Sequence, residues 1–169
     1  TDASCLACKG HIIALSERND DSPGGSLHVL EAVSRRHKRV NRSTFAAEIN
    51  GLADALEPAK VVAMQYAEVV NGVCSAQQLA KMSQTGSWPL LVEAVVDAHG
   101  VFDAIIVSDA KLPVEESLIA ILQSIREQFA LSLIGKLWWC DTEDMLADAL
   151  TKGSVAREAL LAAMQTGKW

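Results

Sequence analysis

Two short segments near the start of the chain, HIIALSE (11–17) and SLHVLEAVS (26–34), are rich in Ile, Leu and Val and are separated by the turn-forming stretch NDDSPGG. Such runs on either side of Asn, Asp, Pro and Gly predict an antiparallel hairpin with a long loop. The period then changes. From Ser43, a residue type that caps helix N-termini, Phe45, Ile49, Leu52 and Leu56 recur at helical spacing. At about 100° per residue, Glu48 lies roughly 80° from the middle of that stripe, on the border of the face that must be buried. Pro58 predicts a kink or a restart, after which VVAMQYAEVV carries the helix on to Asn71-Gly72.

Further along, SAQQLAKMS predicts a second helical stretch that ends near Gly86, and LLVEAVV (90–96) is apolar enough to be a buried strand stopping at Asp97. VEESLIAILQSIREQFA (114–130) is a strongly amphipathic helix, LSLIGKLWW a strand, and TEDMLADALTK a short helix holding Asp148. SVAREALLAAMQTG reads as one more helix. The order β-β-β-α-β-α-β-α predicts a mixed α/β fold, a hairpin meander first and helix-linked strands afterwards. No repeat or low-complexity segment interrupts it.

At 169 residues and 50% hydrophobic content, the chain can build one sizeable core and is too short for two comfortable domains. Its four cysteines, Cys5, Cys8, Cys74 and Cys140, contain one CLAC pair without a second pair or His partner at zinc-ligand spacing, which argues against a disulfide or zinc framework. No apolar run reaches the roughly 18 residues that cross a bilayer, and no signal peptide opens the chain, so a soluble, intracellular protein is expected. A start at Thr1 rather than Met suggests a piece of something longer.

Charge changes this picture locally. The net charge of −6 argues against a general nucleic-acid or membrane coat. Yet RRHKRVNRSTFAAEI (35–49) gathers Arg35, Arg36, Lys38, Arg39 and Arg42, five of the 15 Lys and Arg residues, just ahead of the helix that carries Glu48. Such a cluster can hold phosphates whatever the total charge; otherwise it is a solvated loop. Four acids stand at informative places: Asp2 in TDAS, Glu48, Asp97 at the end of an apolar run, and Asp148 in MLADALTK. By spacing alone they could equally be surface acids and a helix cap. Asp109, which also ends an apolar run, competes with Asp97.

TDAS, SRRHKRVNRSTFAAEINGL, VVDAHGVFDAI, the P-x-E-x-x-L-x-x-x-L-x-x-I-R-E helix and MLADALTKG, in that order, resemble the ribonuclease H domain that follows reverse transcriptase in copia-type LTR retrotransposons. The resemblance spans residues 1–153 and leaves 154–169 as a C-terminal helical tail. It implies a mixed five-stranded sheet flanked by helices, and a D-E-D-D metal site formed by Asp2, Glu48, Asp97 and Asp148. In that fold the first strand carries its Asp partway along. Only Thr1 precedes Asp2, so a truncated first strand is implied.

The implied cofactor is a pair of Mg²⁺ ions, with Mn²⁺ as a substitute. Two such ions about 3.5–4 Å apart need converging hard oxygen ligands. The implied activity is cleavage of the RNA strand of an RNA:DNA hybrid during reverse transcription, with the upstream reverse transcriptase domain of the same polyprotein as partner, in a cytoplasmic particle or the nucleus. The basic run would then hold phosphates of the duplex. Asp97 is preferred to Asp109 because DAHGVFDAI matches the family's turn into a helix. The pattern departs from the family in LWWCDTEDMLAD, which lacks the His that many ribonuclease H sites place before the last Asp. His37 and His99 read as surface residues. Trp138 and Trp139 should face opposite sides of a strand, one in the core and one free to stack on a base or ribose. Two alternatives remain open: a non-catalytic nucleic-acid-binding domain on the same fold, and an unrelated small α/β protein.

Overall fold

In a computed structural model, described for residues 8–17, 19–36, 41–110, 113–152 and 157–169, the hairpin forms as the apolar runs predict. β1 (Cys8–Ser16) pairs antiparallel with β2 (Leu27–Arg36), from Cys8 opposite Arg36 to Ser16 opposite Leu27. The register slips between Ile13 and Ala14, where Leu30 is the extra residue on β2. Such a bulge bends its strand and strengthens the local twist.

α1 (Thr44–Asn71) begins where the Ser43 Oγ accepts the Ala46 N–H at 3.0 Å. It buries Ala46, Ile49, Leu52 and Leu56 on one stripe, as the helical period requires. Pro58 neither ends nor restarts this helix, which runs on to Asn71. The continuation buries Ala63 and Ala67, small residues that keep the later turns seated on the protein. α2 (Ala76–Thr85) carries a full capping box between Ser75 and Gln78 and ends at Gly86 in the left-handed conformation.

β3 (Glu93–Val96) is the core of the LLVEAVV run and leads through Asp97 into α3 (His99–Ile106). α4 (Glu116–Ala130) buries Leu118, Leu122 and Ile125. β4 (Lys136–Trp139) is shorter than LSLIGKLWW suggests, because residues 131–134 turn, with Ser132 at φ 57°. β4 runs parallel to β3, with Glu93 opposite Lys136 and Val96 opposite Trp139. α5 (Asp148–Thr151) is a single turn, and α6 (Glu158–Thr166) follows.

The fold is mixed α/β, but the described residues form two sheets of two strands each and no sheet of five. β1 bonds only to β2 and β3 only to β4 among these residues. The segment expected to supply the first strand, with Asp2, lies outside the described residues. The core divides in the same way. The larger cluster joins α1, α3 and α4 to β3 and β4 around Ile49, Leu56, Leu122, Ile125 and Ile134, all at most 2% exposed. The smaller joins Leu146, Ala149, Leu160 and Ala163 to Ile12 and Leu27 of the hairpin. The last residues are tied down as well: Trp169 and Gly25 exchange backbone hydrogen bonds of 2.6 and 2.9 Å, and the Trp169 indole donates to the Asp144 carbonyl.

Candidate carboxylate site

Three of the four anticipated acids come to the rim of one cavity. It measures about 710 Å³, lies between α1, β1, β3 and α5, and takes in every residue of β1 and β3 along its walls. Glu48 reaches it from the second turn of α1, where Ala46 and Ile49 on the buried stripe fix the rotation of the helix. Asp97 reaches it from the end of β3. Its backbone is held there by the Trp139 indole, whose N–H donates to the Asp97 carbonyl at 3.0 Å.

Asp148 opens α5, and α5 lies directly on β1. A Cβ on Gly10 would stand 2.6 Å from the Thr151 methyl and 3.2 Å from the Ala147 carbonyl oxygen. Only glycine allows this approach, which brings Asp148 to the cavity. The Ser34 hydroxyl fixes the same turn from β2 by donating to the Leu150 carbonyl at 2.7 Å.

A fourth residue completes the cluster. Lys152, one helical turn after Asp148, puts its Nζ 2.5 Å from Asp148 Oδ2 and 3.9 Å from Asp97 Oδ2. Asp148 is 8% exposed, the one buried charged residue among those described, and this ammonium is its hydrogen-bonded counter-ion. Lys152 is held above its ordinary pKa. Partial burial works against its charge, but the hydrogen bond and field of Asp148, and the fields of Asp97 and Glu48, outweigh that cost. Glu48 is also raised, first by burial and then by the negative fields of Asp97 and Asp148, with Lys152 opposing. Glu48 and Lys152 therefore each feel the other and both aspartates. The Lys152 signal was present in the sequence as an Asp-to-Lys spacing of four within MLADALTK, the spacing at which helical side chains meet.

Asp109 lies in an exposed turn after α3 and does not line the cavity, so Asp97 is the acid that joins the cluster. Asp2 lies outside the described residues. Cys140, buried beside these acids, has its thiol pushed up to about 11 by burial and by the fields of Asp97, Asp144, Asp141 and Asp148. It remains a neutral thiol at physiological pH and is no nucleophile. His11, on the cavity wall, is lowered chiefly by burial, with Glu31 opposing and Arg35 and Lys9 assisting. Its Nε2 is buried without a partner among the described residues.

The basic run is divided. Arg35 and Arg36 are exposed at the end of β2, opposite Lys9 and Cys8. Arg42 is paired at the approach to α4, its Nε 3.4 Å from Glu115 Oε1, while its side chain stays exposed. Lys38 and Arg39 lie outside the described residues. Lys9 itself pairs with Asp54 on α1.

The donor set suits a hard divalent cation, because carboxylate oxygens are what Mg²⁺ takes. Among the described residues no three His, Cys, Asp or Glu side chains stand close enough together to hold a metal ion. The position of positive charge between Asp148 and Asp97 belongs to Lys152. Comparison with protein families, with curated proteins and with solved structures yields no match for this chain.

Proposed function

We propose that this chain is a metal-dependent endonuclease that cuts the RNA strand of RNA:DNA hybrids, as a ribonuclease H-like domain of a retroelement polyprotein. The observation that carries this reading is that Glu48, Asp97 and Asp148, far apart in sequence, all line one cavity, with Lys152 Nζ between the two aspartates and Glu48 within their fields. Neighbouring carboxylates disfavour one another's charged forms, and the Lys152 ammonium offsets that here. The acids come in the order and on the element types that the sequence resemblance implies.

In this reading the two sheets are parts of one. The five-stranded sheet and Asp2 as a fourth carboxylate are what the sequence resemblance implies; Asp2 lies outside the described residues. Bound Mg²⁺ would supply an activated water and stabilise the leaving oxygen. Glu48, Asp97 and Asp148 would be the residues to hold the cations, drawing closer together than they stand without metal. Arg35 and Arg36 hold phosphates of the duplex, contributing affinity without sequence choice. Cys140 takes no part, since its thiol stays protonated. The hybrid and the upstream reverse transcriptase domain are the partners, in a cytoplasmic particle or the nucleus. No helix among the described residues is long and apolar enough to cross a membrane.

A second reading is favoured by Lys152, whose ammonium already neutralises Asp148 and Asp97. On that reading the domain binds nucleic acid without cutting it. An end-labelled hybrid incubated with the chain and Mg²⁺ separates the two. Mg²⁺-dependent shortening of the RNA strand supports the nuclease; a gel shift with intact RNA supports the binder. Neither effect would exclude both.

A further inference from the structure

The two neighbouring tryptophans of β4 have different fates. Trp138 is fully engaged: its indole N–H donates to Glu93 Oε2 at 2.7 Å, and Lys136 Nζ lies 3.4 Å from its ring centroid. Trp139 is 44% exposed, yet its ring is not loose. The N–H is anchored on the Asp97 carbonyl at 3.0 Å, and His99 meets the ring in a T-shaped contact, with centroids 5.6 Å apart and planes at 67°. His99 is itself held, its Nδ1 2.8 Å from Asp103 Oδ2. A large aromatic face is therefore open to solvent and fixed to the backbone of a residue of the carboxylate cluster.

Exposing a tryptophan gives up apolar burial, and fixing it gives up rotamer freedom. Neither loss is needed for packing here, since Trp138 already joins β4 to β3. Rigid exposed aromatic faces suit nucleotides, because every base presents a π-face and every sugar an apolar one. The charge around the site points the same way. Asp97 anchors the ring and Asp103 pairs with its neighbour His99, so the platform would repel a bare anion, whereas a sugar or base makes contact through a neutral face.

We infer that Trp139, braced by His99, is a stacking platform for one nucleotide of the strand whose phosphate would be held by cations bound at Glu48, Asp97 and Asp148. This rests on the nuclease reading and adds a substrate-positioning residue to it. The anchor on Asp97 matters: a nucleotide stacked on Trp139 is positioned against the same backbone that carries the carboxylate.

The test uses the full chain carrying Glu48→Gln, so that the hybrid stays intact, and RNA strands with 5-iodouridine placed at successive positions. Irradiation of the bound complex should crosslink one position to Trp139, mapped by peptide mass spectrometry. Trp139→Ala should weaken hybrid binding by roughly five- to a hundredfold, while Trp139→Phe retains most of the affinity. Crosslinking reads the unsubstituted ring, so it decides the matter even if Trp139→Ala folds poorly. Tight binding with crosslinks elsewhere and no loss in Trp139→Ala would overturn the platform and leave the nuclease reading standing. Failure of the parent chain to bind the hybrid at all would remove both.

Discussion

The Lys152 ammonium lies 2.5 Å from Asp148 Oδ2, one helical turn away, and also reaches toward Asp97 at 3.9 Å. It is a tethered monovalent cation at the place where a divalent one is proposed. Lys152→Met should therefore have opposite effects in the two conditions. Without metal, Asp148 loses its counter-ion and the acids repel; because the Lys152 side chain is 44% exposed, the cost should be only about 1 kcal/mol, or ~3 °C in melting temperature. With Mg²⁺ the variant should gain more thermal stabilisation than the parent, since no ammonium competes. Thermal scans in EDTA and in Mg²⁺ check this, and equal Mg²⁺ stabilisation in both chains would mean that Lys152 and the metal do not share a position.

Glu48 gives a pH dependence of definite sign. Its folded pKa lies above the ordinary value of about 4.5, so the folded chain binds its proton more tightly than the unfolded one. The stability associated with that proton is fully present below about 4.5 and is lost as pH rises through the folded value. Glu48→Gln should consequently raise the melting temperature in EDTA at pH 7, and its advantage should shrink as pH falls toward 4. An advantage that stays constant with pH would mean that burial of Glu48 is not the cause.

For cleavage, Asp97→Asn removes a charge from the cluster without removing volume. It should reduce Mg²⁺-dependent cleavage by more than the roughly 10- to 100-fold lost when only a ligand's supporting partner is removed. Asp109→Asn, in an exposed turn away from the cavity, should leave the rate unchanged. Initial rates on a labelled hybrid compare the two directly, and the reverse ranking would reassign the third ligand.

The basic run should not act as a unit. Replacing Arg35 and Arg36 by Ala removes two phosphate contacts and should flatten the slope of log K against log[salt] by about two. Arg42→Ala should change the slope little, because Arg42 is paired with Glu115. A salt titration of hybrid affinity measures both; equal effects would mean that Arg42 leaves Glu115 when the duplex binds.

Stability away from the site depends on one glycine. Gly86 ends α2 at φ 64°, and a Cβ there would stand 2.2 Å from the Ser132 carbonyl oxygen. Gly86→Ala should cost more than the ~1 kcal/mol of left-handed backbone strain alone, because the turn ahead of β4 must also move. A drop of only 2–4 °C in melting temperature, the equivalent of about 1 kcal/mol, would mean that the turn yields freely.

What the sequence determined by itself is local. The hairpin, α1 from its Ser43 cap, the capped α2, and the amphipathic α4 all follow from periods of two or 3.6 and from end signals, because side chains within a few residues settle those choices. Glu48 at the edge of the buried stripe was legible for the same reason. Pro58 shows where local preference yields: its ring disfavours a helix interior, but Ala63 and Ala67 are buried beyond it and the helix continues. The shortening of LSLIGKLWW to four residues was likewise hidden, since the turn at Ser132 packs against Gly86, far off in sequence. The site belongs almost wholly to the tertiary structure. Nothing in MLADALTK says that its turn will lie on Gly10, yet that contact brings Asp148 to the cavity. Nor does the spacing of Asp97 and Lys152, 55 residues apart, show that their charges will meet at 3.9 Å. Coulomb's law depends on distance in space, and only the packing of α5 on β1 beside the end of β3 made that distance short.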